Sequence, residues 1–445
     1  MNKEFLQVNG KEFYFQGSSV RLRGFGIGSW LNLEHFMLGV PTPDQMIRQA
    51  FSDIYGKENA QSFFNSFINN FIGDEDFQLL KKSGINFLRV PFNYRLLIDD
   101  QNSMTYREEG FKILDRLMDL CDKYEIFLMP DLHTTPGGQN PDWHSDNTTG
   151  IAQFWHFDVF RRQITALWQE IARRYKNRTY LMGYDLLNEP FMLPDTEIMN
   201  EFFQNTIDAI REVDQNHVII VESDHFAMDF SKLRHFKDEQ LALSFHYYPT
   251  VWIPNLLNKN YGREDRKAEF RKGLESLVEI RDTFSRPVIC GEAGYDLHPE
   301  DMAFCMELLK DTLDLFEEYK ISWAVWTYKD ACFMGLVYPG KDSPWMEMVN
   351  HIHRKWTHYK EMDQADYIMD IVGDHLFDGI DDSMKYTLQF RLRGILYTLQ
   401  SEKILKPLLR SMSWEEMQKL PDSFLLKNCS FWQEYFDLIK DITKG

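Results

Sequence analysis

The strongest constraint in this sequence is an alternation. Eight short apolar runs are separated by longer stretches with helical apolar spacing: Leu22–Ile27, Phe87–Val90, Phe127–Asp131, Met182–Leu187, Val218–Val221, Leu241–Phe245, Val288–Gly291 and Ser322–Trp326. Phe111, Leu114, Met118 and Cys121 mark one of the intervening helices, and Phe160, Ile164, Leu167 and Ile171 mark another. Strands that alternate with helices form parallel βα units, and eight of them favour closure into an α/β (β/α)8 TIM barrel over an open sheet. Ahead of the first strand, Phe5–Val8 and Phe13–Phe15 flank an Asn9-Gly10 pair, which predicts a tight hairpin placed to close the bottom of the barrel.

Two stretches exceed what a plain barrel needs. Leu38 to Phe71 is too long for a simple βα loop and has its own helical spacing (Met46, Ala50, Ile54), which predicts a helical insertion after the first strand. Beyond Asp342 no strand is evident, and Tyr386, Phe390, Leu392, Ile395 and Leu399 carry helical spacing. The last barrel helix is expected from about Pro344. The chain therefore divides into a catalytic barrel with its hairpin, residues 1–355, and an α-helical C-terminal appendage, residues 356–445.

Charge excludes several partners. With 49 Lys and Arg against 68 Asp and Glu, the 445-residue chain has a formal charge of −19, a field that repels nucleic-acid phosphates and anionic membranes. No stretch approaches the roughly 18 apolar residues of a membrane span, and the first residues lack the apolar core of a secretory signal. The five cysteines (Cys121, Cys290, Cys305, Cys332, Cys429) are scattered and odd in number, which predicts reduced thiols and a cytoplasmic location. Oligomeric state has no readable signal.

In a barrel enzyme the reacting groups sit where strands end at the C-terminal face. Polar residues gather there: Arg89 after the second strand, Asp131 and His133 after the third, Asn188-Glu189 after the fourth, His246-Tyr247-Tyr248 after the sixth, Glu292 after the seventh and Trp326 after the eighth. Strands four and seven face each other across a narrow barrel, so Glu189 and Glu292 can converge. Two carboxyl groups about 5 Å apart are what retaining glycoside hydrolysis uses, one to attack the anomeric carbon and one to protonate the leaving oxygen.

The segments LRGFGIGSWLNLE (22–34), INFLRVPFNYR (85–95), MPDLHTTPGGQN (129–140), GYDLLNEP (183–190), SFHYYP (244–249), ICGEAG (289–294) and WAVWTYKD (323–330) together resemble glycoside hydrolase family 5, from about residue 20 to about 345. The resemblance implies Glu189 as acid/base and Glu292 as nucleophile. It implies Asn188 on the 2-hydroxyl of the sugar, Arg89 and Tyr248 orienting an ionised Glu292, His133 and His246 lining the subsite, and Trp326 as its floor. Glu34, the insertion and the DLHTTPGGQN loop resemble the exo-β-1,3-glucanase branch, in which Glu34 would hold outer hydroxyls and long loops would shape a pocket. Trp143, His144 and Asp146 are candidates for its outer rim.

The implied activity is exo-acting cleavage of β-glucosidic bonds in oligosaccharides or small glucosides, by double displacement. Transglycosylation by the same steps and non-catalytic sugar binding are the alternatives. No cofactor or metal is expected. His351, His353 and His358 lack a second ligand cluster at recognisable spacing, and GFGIG (24–28) lacks the spacing and downstream acid of a dinucleotide loop.

Overall fold

The computed structural model describes residues 4–444, apart from 254–255, 332–333, 357–364, 366 and 372–381. Its centre is a closed barrel of eight parallel strands: β1 (Arg23–Gly26), β2 (Phe87–Asn93), β3 (Phe127–Thr134), β4 (Gly183–Asp185), β5 (Val218–Val221), β6 (Leu241–Tyr247), β7 (Val288–Ala293) and β8 (Ser322–Val325). They pair in chain order, and β8 closes onto β1 through Trp323 opposite Arg23 and Val325 opposite Phe25. The eight strands expected from the apolar runs are all present, as is the helical insertion, with helices at Asp44–Tyr55 and Lys57–Phe71.

The barrel interior is layered by strand alternation. Its lower layer is apolar: Leu22, Phe87, Met129, Met182, Ile220, Ala242, Ile289 and Ala324 form one buried cluster with Leu6, Val8 and Phe13 of the N-terminal hairpin. The hairpin pairs Gln7–Asn9 with Glu12–Phe15 and plugs the bottom, so one end of the barrel is dry and closed. Two residues further along the strands the interior turns polar. Arg89 lies two beyond Phe87, Asp131 two beyond Met129, Glu222 two beyond Ile220 and Ser244 two beyond Ala242, all fully buried.

Strand β7 departs from this alternation, and the departure matters. Period two would send Ile289 and Gly291 inward and Glu292 outward. Against β6, Phe245 is opposite Cys290 but His246 is opposite Glu292, so Gly291 is an extra residue and a bulge. The bulge turns Glu292 back to the inner face. A Cβ at position 291 would lie 2.5 Å from Ser244 Oγ, 3.3 Å from His246 Nε2 and 3.4 Å from Arg89 Nε, which explains the glycine.

The expected C-terminal α-helices are present, and they contact the barrel at two places. Helix Pro344–Trp356, expected to be the eighth barrel helix, leans on the insertion instead: Trp345 Nε1 donates to Leu38 O and its ring packs on Phe67. Helix Gln433–Thr443 packs against helix Met302–Glu318 that precedes β8. There Tyr435 is buried against Phe25 of β1, and Thr443 Oγ1 donates to Ser83 O beyond helix Asp74–Lys82. That places it between the seventh and first helices of the ring, in the eighth position. Cys429–Phe431 pairs antiparallel with Val337–Pro339 after β8, fixing this return. The division expected at residue 355 follows the strand count, whereas the contacts run across it. Sequence could not show this because both helices are amphipathic and only tertiary contact distinguishes them.

Between these two anchors, helix Asp382–Gln400 runs over the loops at the upper rim. Its Phe390 ring meets Phe191, Tyr397 meets His35, and Arg393 pairs with Asp142 at 3.4 Å. Two glycines permit the approach: a Cβ on Gly394 would lie 2.7 Å from Thr148 O, and one on Gly150 would lie 2.5 Å from the Phe390 carbonyl.

We propose that residues 420–444 fold as part of the barrel. Truncation after Phe424 should abolish the cooperative thermal transition, and Tyr435→Ala should cost about 3–5 kcal/mol in denaturant unfolding. An unchanged melting temperature in the truncated chain would show an independent appendage instead.

Candidate active site

Arg89 organises the upper end of the barrel. Its guanidinium is fully buried and each nitrogen is used. Nε donates to Asp185 Oδ2 at 3.0 Å and Nη1 to Glu292 Oε1 at 2.6 Å. Nη2 donates to Asn188 Oδ1 at 2.8 Å and Glu222 Oε1 at 3.0 Å, with Asp131 Oδ2 at 3.2 Å. A planar five-donor fork suits such a cluster; a lysine would not. Neutralising charge is still scarce for so many carboxylates in a buried space. Burial and the neighbouring carboxylates accordingly hold Asp131 and Asp185 well above the usual carboxylate range.

Glu292 stands at the centre, 6% exposed. Arg89 holds one oxygen and the Tyr248 hydroxyl donates to the other at 2.9 Å. Burial, then Glu292 itself, raises the Tyr248 phenol well above its ordinary value, so it remains a donor at neutral pH. Glu189 follows Asn188 with φ +48, a left-handed turn rare for glutamate that frees its side chain from the strand direction. Its Oε1 lies 2.6 Å from His246 Nδ1 and its Oε2 2.9 Å from His144 Nε2. Glu189, His246 and Glu292 each place one ligand atom within 4.8 Å of the other two. That spacing suits a metal as well as an acid–nucleophile pair; His246 Nδ1 bonds Glu189 Oε1, and the Glu292 oxygens are held by Arg89 and Tyr248.

The second nitrogen of His246 reaches Glu222 Oε1 at 3.1 Å. Burial alone would lower the pKa of this imidazole, but Glu222, Glu292 and Glu189 outweigh it and raise it well above its ordinary value, favouring the imidazolium. The same charges act in return. Burial pushes Glu189 up, yet His246 and His144 hold it below the usual carboxylate range.

The remaining predicted residues form the walls. His133 Nδ1 is 2.7 Å from Asp131 Oδ2, and the His133 ring lies parallel to Trp326 with centroids 5.8 Å apart. Burial holds His133 down at about 3, so it is neutral. Trp326 packs with Met37 and Met334. Its indole covers Gly26 and Gly28, where a Cβ would approach ring atoms to 2.5 and 2.6 Å. Gly26 and Gly28 of the GFGIG run therefore make room for the indole. Glu34 is 3% exposed, and burial, then Glu292 and Glu189, lifts its carboxyl well above the usual carboxylate range. Glu34 Oε1 and Asn188 Nδ2 are buried without a hydrogen-bond partner among the described residues, leaving an acceptor and a donor ready for sugar hydroxyls.

All nine predicted site residues thus meet at one end of the barrel. Of the three rim candidates, His144 lies deeper than a rim, on Glu189. Trp143 packs on His35 and Phe36 in the wall. Asp146 faces elsewhere, accepting from Gln45 N and Asn93 Nδ2, and so ties the insertion to the loop after β3. Among the histidines weighed for metal, His351 and His353 lie on helix Pro344–Trp356, away from this cluster, and His358 is outside the described residues. Sequence reading missed Glu222, which holds Arg89, His246 and the Glu189 amide at once. The signal was present: Glu222 directly follows the VIIV run of β5, the same strand-end position that identified the others.

Comparison with known proteins agrees with this geometry. The family model described as cellulase (glycosyl hydrolase family 5) matches residues 52–331. A β-xylosidase of Phanerodontia chrysosporium is 36% identical over 359 residues, 77% of this chain and 75% of that protein. Endoglucanase C of Acetivibrio thermocellus is 24% identical, covering 67% of this chain and 95% of its own. A glucan 1,3-beta-glucosidase of Wickerhamomyces anomalus is 25% identical over 56% of this chain and 62% of its own. Among solved structures, the cellulose synthase subunit Z of Clostridioides difficile superposes with a TM-score of 0.53 at 20% identity, covering 71% of this chain and 94% of that one, which shows a shared fold. A closed βα barrel, two glutamates at opposed strand ends around a buried arginine, and a family match over most of the barrel lead to one conclusion: the chain belongs to glycosyl hydrolase family 5 and is a β-glycoside hydrolase.

Proposed function

We propose that this glycosidase acts by retention and removes single gluco-configured residues, glucose or xylose, from the non-reducing ends of small β-glycosides. The observation that carries the stereochemistry is the approach of Glu189 and Glu292, with an oxygen of each within 4.8 Å of the other. Retaining pairs are separated by roughly 5–5.5 Å, whereas inverting pairs need about 6.5–9.5 Å to admit a water. In the first step a Glu292 oxygen bonds to the anomeric carbon while the bond to the leaving oxygen breaks and that oxygen takes a proton by way of Glu189. In the second, Glu189 takes a proton from water, whose oxygen displaces Glu292. Asn188 Nδ2 and Glu34 Oε1 meet the sugar hydroxyls, and Trp326 supports the ring.

Exo action is supported by closure of the upper rim. Helix Asp382–Gln400 joins His35, Asp142 and Phe191 from the loops after β1, β3 and β4, and so bridges that side of the rim, where a long chain would otherwise pass. The substrate class draws support from the β-xylosidase and glucan 1,3-beta-glucosidase relatives. Glucose and xylose share ring-hydroxyl configuration, and the unpartnered donor and acceptor here address ring hydroxyls.

Nitrophenol release from aryl β-glucosides and β-xylosides tests the reading. Glu292→Ala should be inactive and partly rescued by azide with an α-glycosyl azide as product, whereas Glu189→Ala should give the β-azide. An inactive wild type on both sugars, or β-azide from Glu292→Ala, would overturn it. Glu222→Gln should lower kcat roughly 10- to 100-fold with little change in KM, because it weakens charge-assisted bonds of about 1.5–3 kcal/mol that hold His246 and Arg89. Gly28→Ala should raise KM, since the new methyl displaces the Trp326 indole; an unchanged KM would remove the indole from the sugar site.

A further inference from the structure

The acid/base carboxylate is gripped on both oxygens, and only one of the two grips comes from a barrel strand. His246, on β6, holds Oε1. His144, on the loop after β3, holds Oε2 at 2.9 Å. We propose that His144 is a positioning residue that shares the catalytic proton with Glu189, making a Glu189–His144 pair the proton reservoir of this enzyme. The inference rests on the retaining mechanism above and adds a second holder of its proton.

The loop is built to place this imidazole. Asn32 Nδ2 donates to His144 O at 3.0 Å. The Asn140 amide is oriented by two bonds: its Oδ1 accepts from Asp142 N at 3.0 Å and its Nδ2 donates to Glu189 O at 3.0 Å. That orientation leaves Asn140 Nδ2 2.8 Å from His144 Nε2, the same nitrogen that meets Glu189. A donor aimed at Nε2 favours the tautomer with a lone pair there, and so a proton on Glu189. The surrounding charge favours the reverse. Glu189 raises His144 against the lowering effect of burial, with Asp142 and Glu292 adding to it. The two preferences oppose each other across one 2.9 Å contact, so the proton belongs to the pair.

The other groups facing His144 do not replace it. His133, with ring centroids 6.1 Å away, is neutral; Asp142 is paired with Arg393; Phe226 and Trp143 supply apolar ring contacts. On the far side of Glu189, His246 is held toward its cationic form and fixed by Glu222. With His144 present, the last proton of the pair leaves near the raised value of the imidazole. Without it, only Glu189 can hold that proton, and the charge of His246 makes Glu189 release it at lower pH. Loss of the imidazole must therefore move the alkaline limb of activity toward acid.

The test is kcat/KM against pH for His144→Ala and His144→Gln, with a phenyl and a 2,4-dinitrophenyl glycoside of whichever sugar the wild type cleaves. The phenyl substrate needs a proton to leave; the dinitrophenyl substrate does not. Both variants should shift the alkaline limb for the phenyl glycoside down by about one pH unit or more and lower its rate at neutral pH by about 10²-fold. The dinitrophenyl rate should stay within a few-fold. An unshifted limb in His144→Ala, an equal fall for both substrates, or a wild-type limb in His144→Gln would overturn proton sharing; melting temperatures of both variants exclude misfolding. Azide rescue of Glu189→Ala separates the two levels, because its failure would overturn the retaining mechanism whatever His144 does.

Discussion

The upper half of this barrel depends on one guanidinium. Arg89 contacts Asp131, Asp185, Glu222 and Glu292, which come from or directly follow β3, β4, β5 and β7. Removing a single partner from such a cluster leaves a buried charge uncompensated, which costs about 3–5 kcal/mol in comparable cases. Replacing Arg89 would strand several at once. The interaction is a poor source of stability, since packed apolar side chains of similar volume often do as well. Its value is orientation: one rigid fork sets the place of Glu292 and of Asn188, and through Glu222 that of His246 and the Glu189 amide.

Backbone exceptions do the aiming that the arginine then fixes. Plain alternation would turn Glu292 out of the barrel, and the Gly291 bulge turns it in. Glu189 sits at φ +48, with Met192 at +56 and His225, Phe226 and Ala227 at +54, +56 and +62 on the next loop. Left-handed backbone at non-glycine residues costs of order 1–3 kcal/mol each and persists where the surroundings over-determine it. Here the surroundings are the amide bond to Glu222 and the Asn140 bond to the Glu189 carbonyl.

The barrel was legible because the apolar period is a local signal, and eight repeats of it leave few alternatives. The site was legible as far as strand ends were inspected evenly; Glu222 escaped only because β5 was left out of that inspection. Asp185, two residues before Leu187 in the DLLNEP run, escaped for another reason. It reads as part of a buried strand until Arg89 is seen beside it. His144 was read as a rim residue rather than a partner of Glu189 because its depth depends on the path of a loop, and loop paths are fixed by long-range contacts such as Asn32 to His144 and Arg393 to Asp142. The eighth helix was hidden likewise. Helix Gln433–Thr443 takes that place because Cys429–Phe431 pairs with Val337–Pro339, nearly a hundred residues earlier, and no periodicity records such a pairing.

The charges of the site explain how the proposed chemistry proceeds without a large electrostatic barrier. Arg89 and His246 are held toward their cationic forms and Glu222 toward its anion; Glu34, Asp131 and Asp185 are pushed toward their neutral forms, and the proposed nucleophile Glu292 enters the reaction as a carboxylate. With one proton on the Glu189–His144 pair, the cluster is neutral. When Glu292 becomes an ester its charge disappears, and when the leaving oxygen takes the proton Glu189 becomes the anion. Negative charge has then moved from one side of the sugar to the other, by less than 5 Å, between groups that His246 touches on both sides. The sum is unchanged, so the interior never has to accept a net charge, which is what a buried site tolerates least. His246, fixed between Glu189, Glu292 and Glu222, lies where it stabilises the anion before and after the transfer.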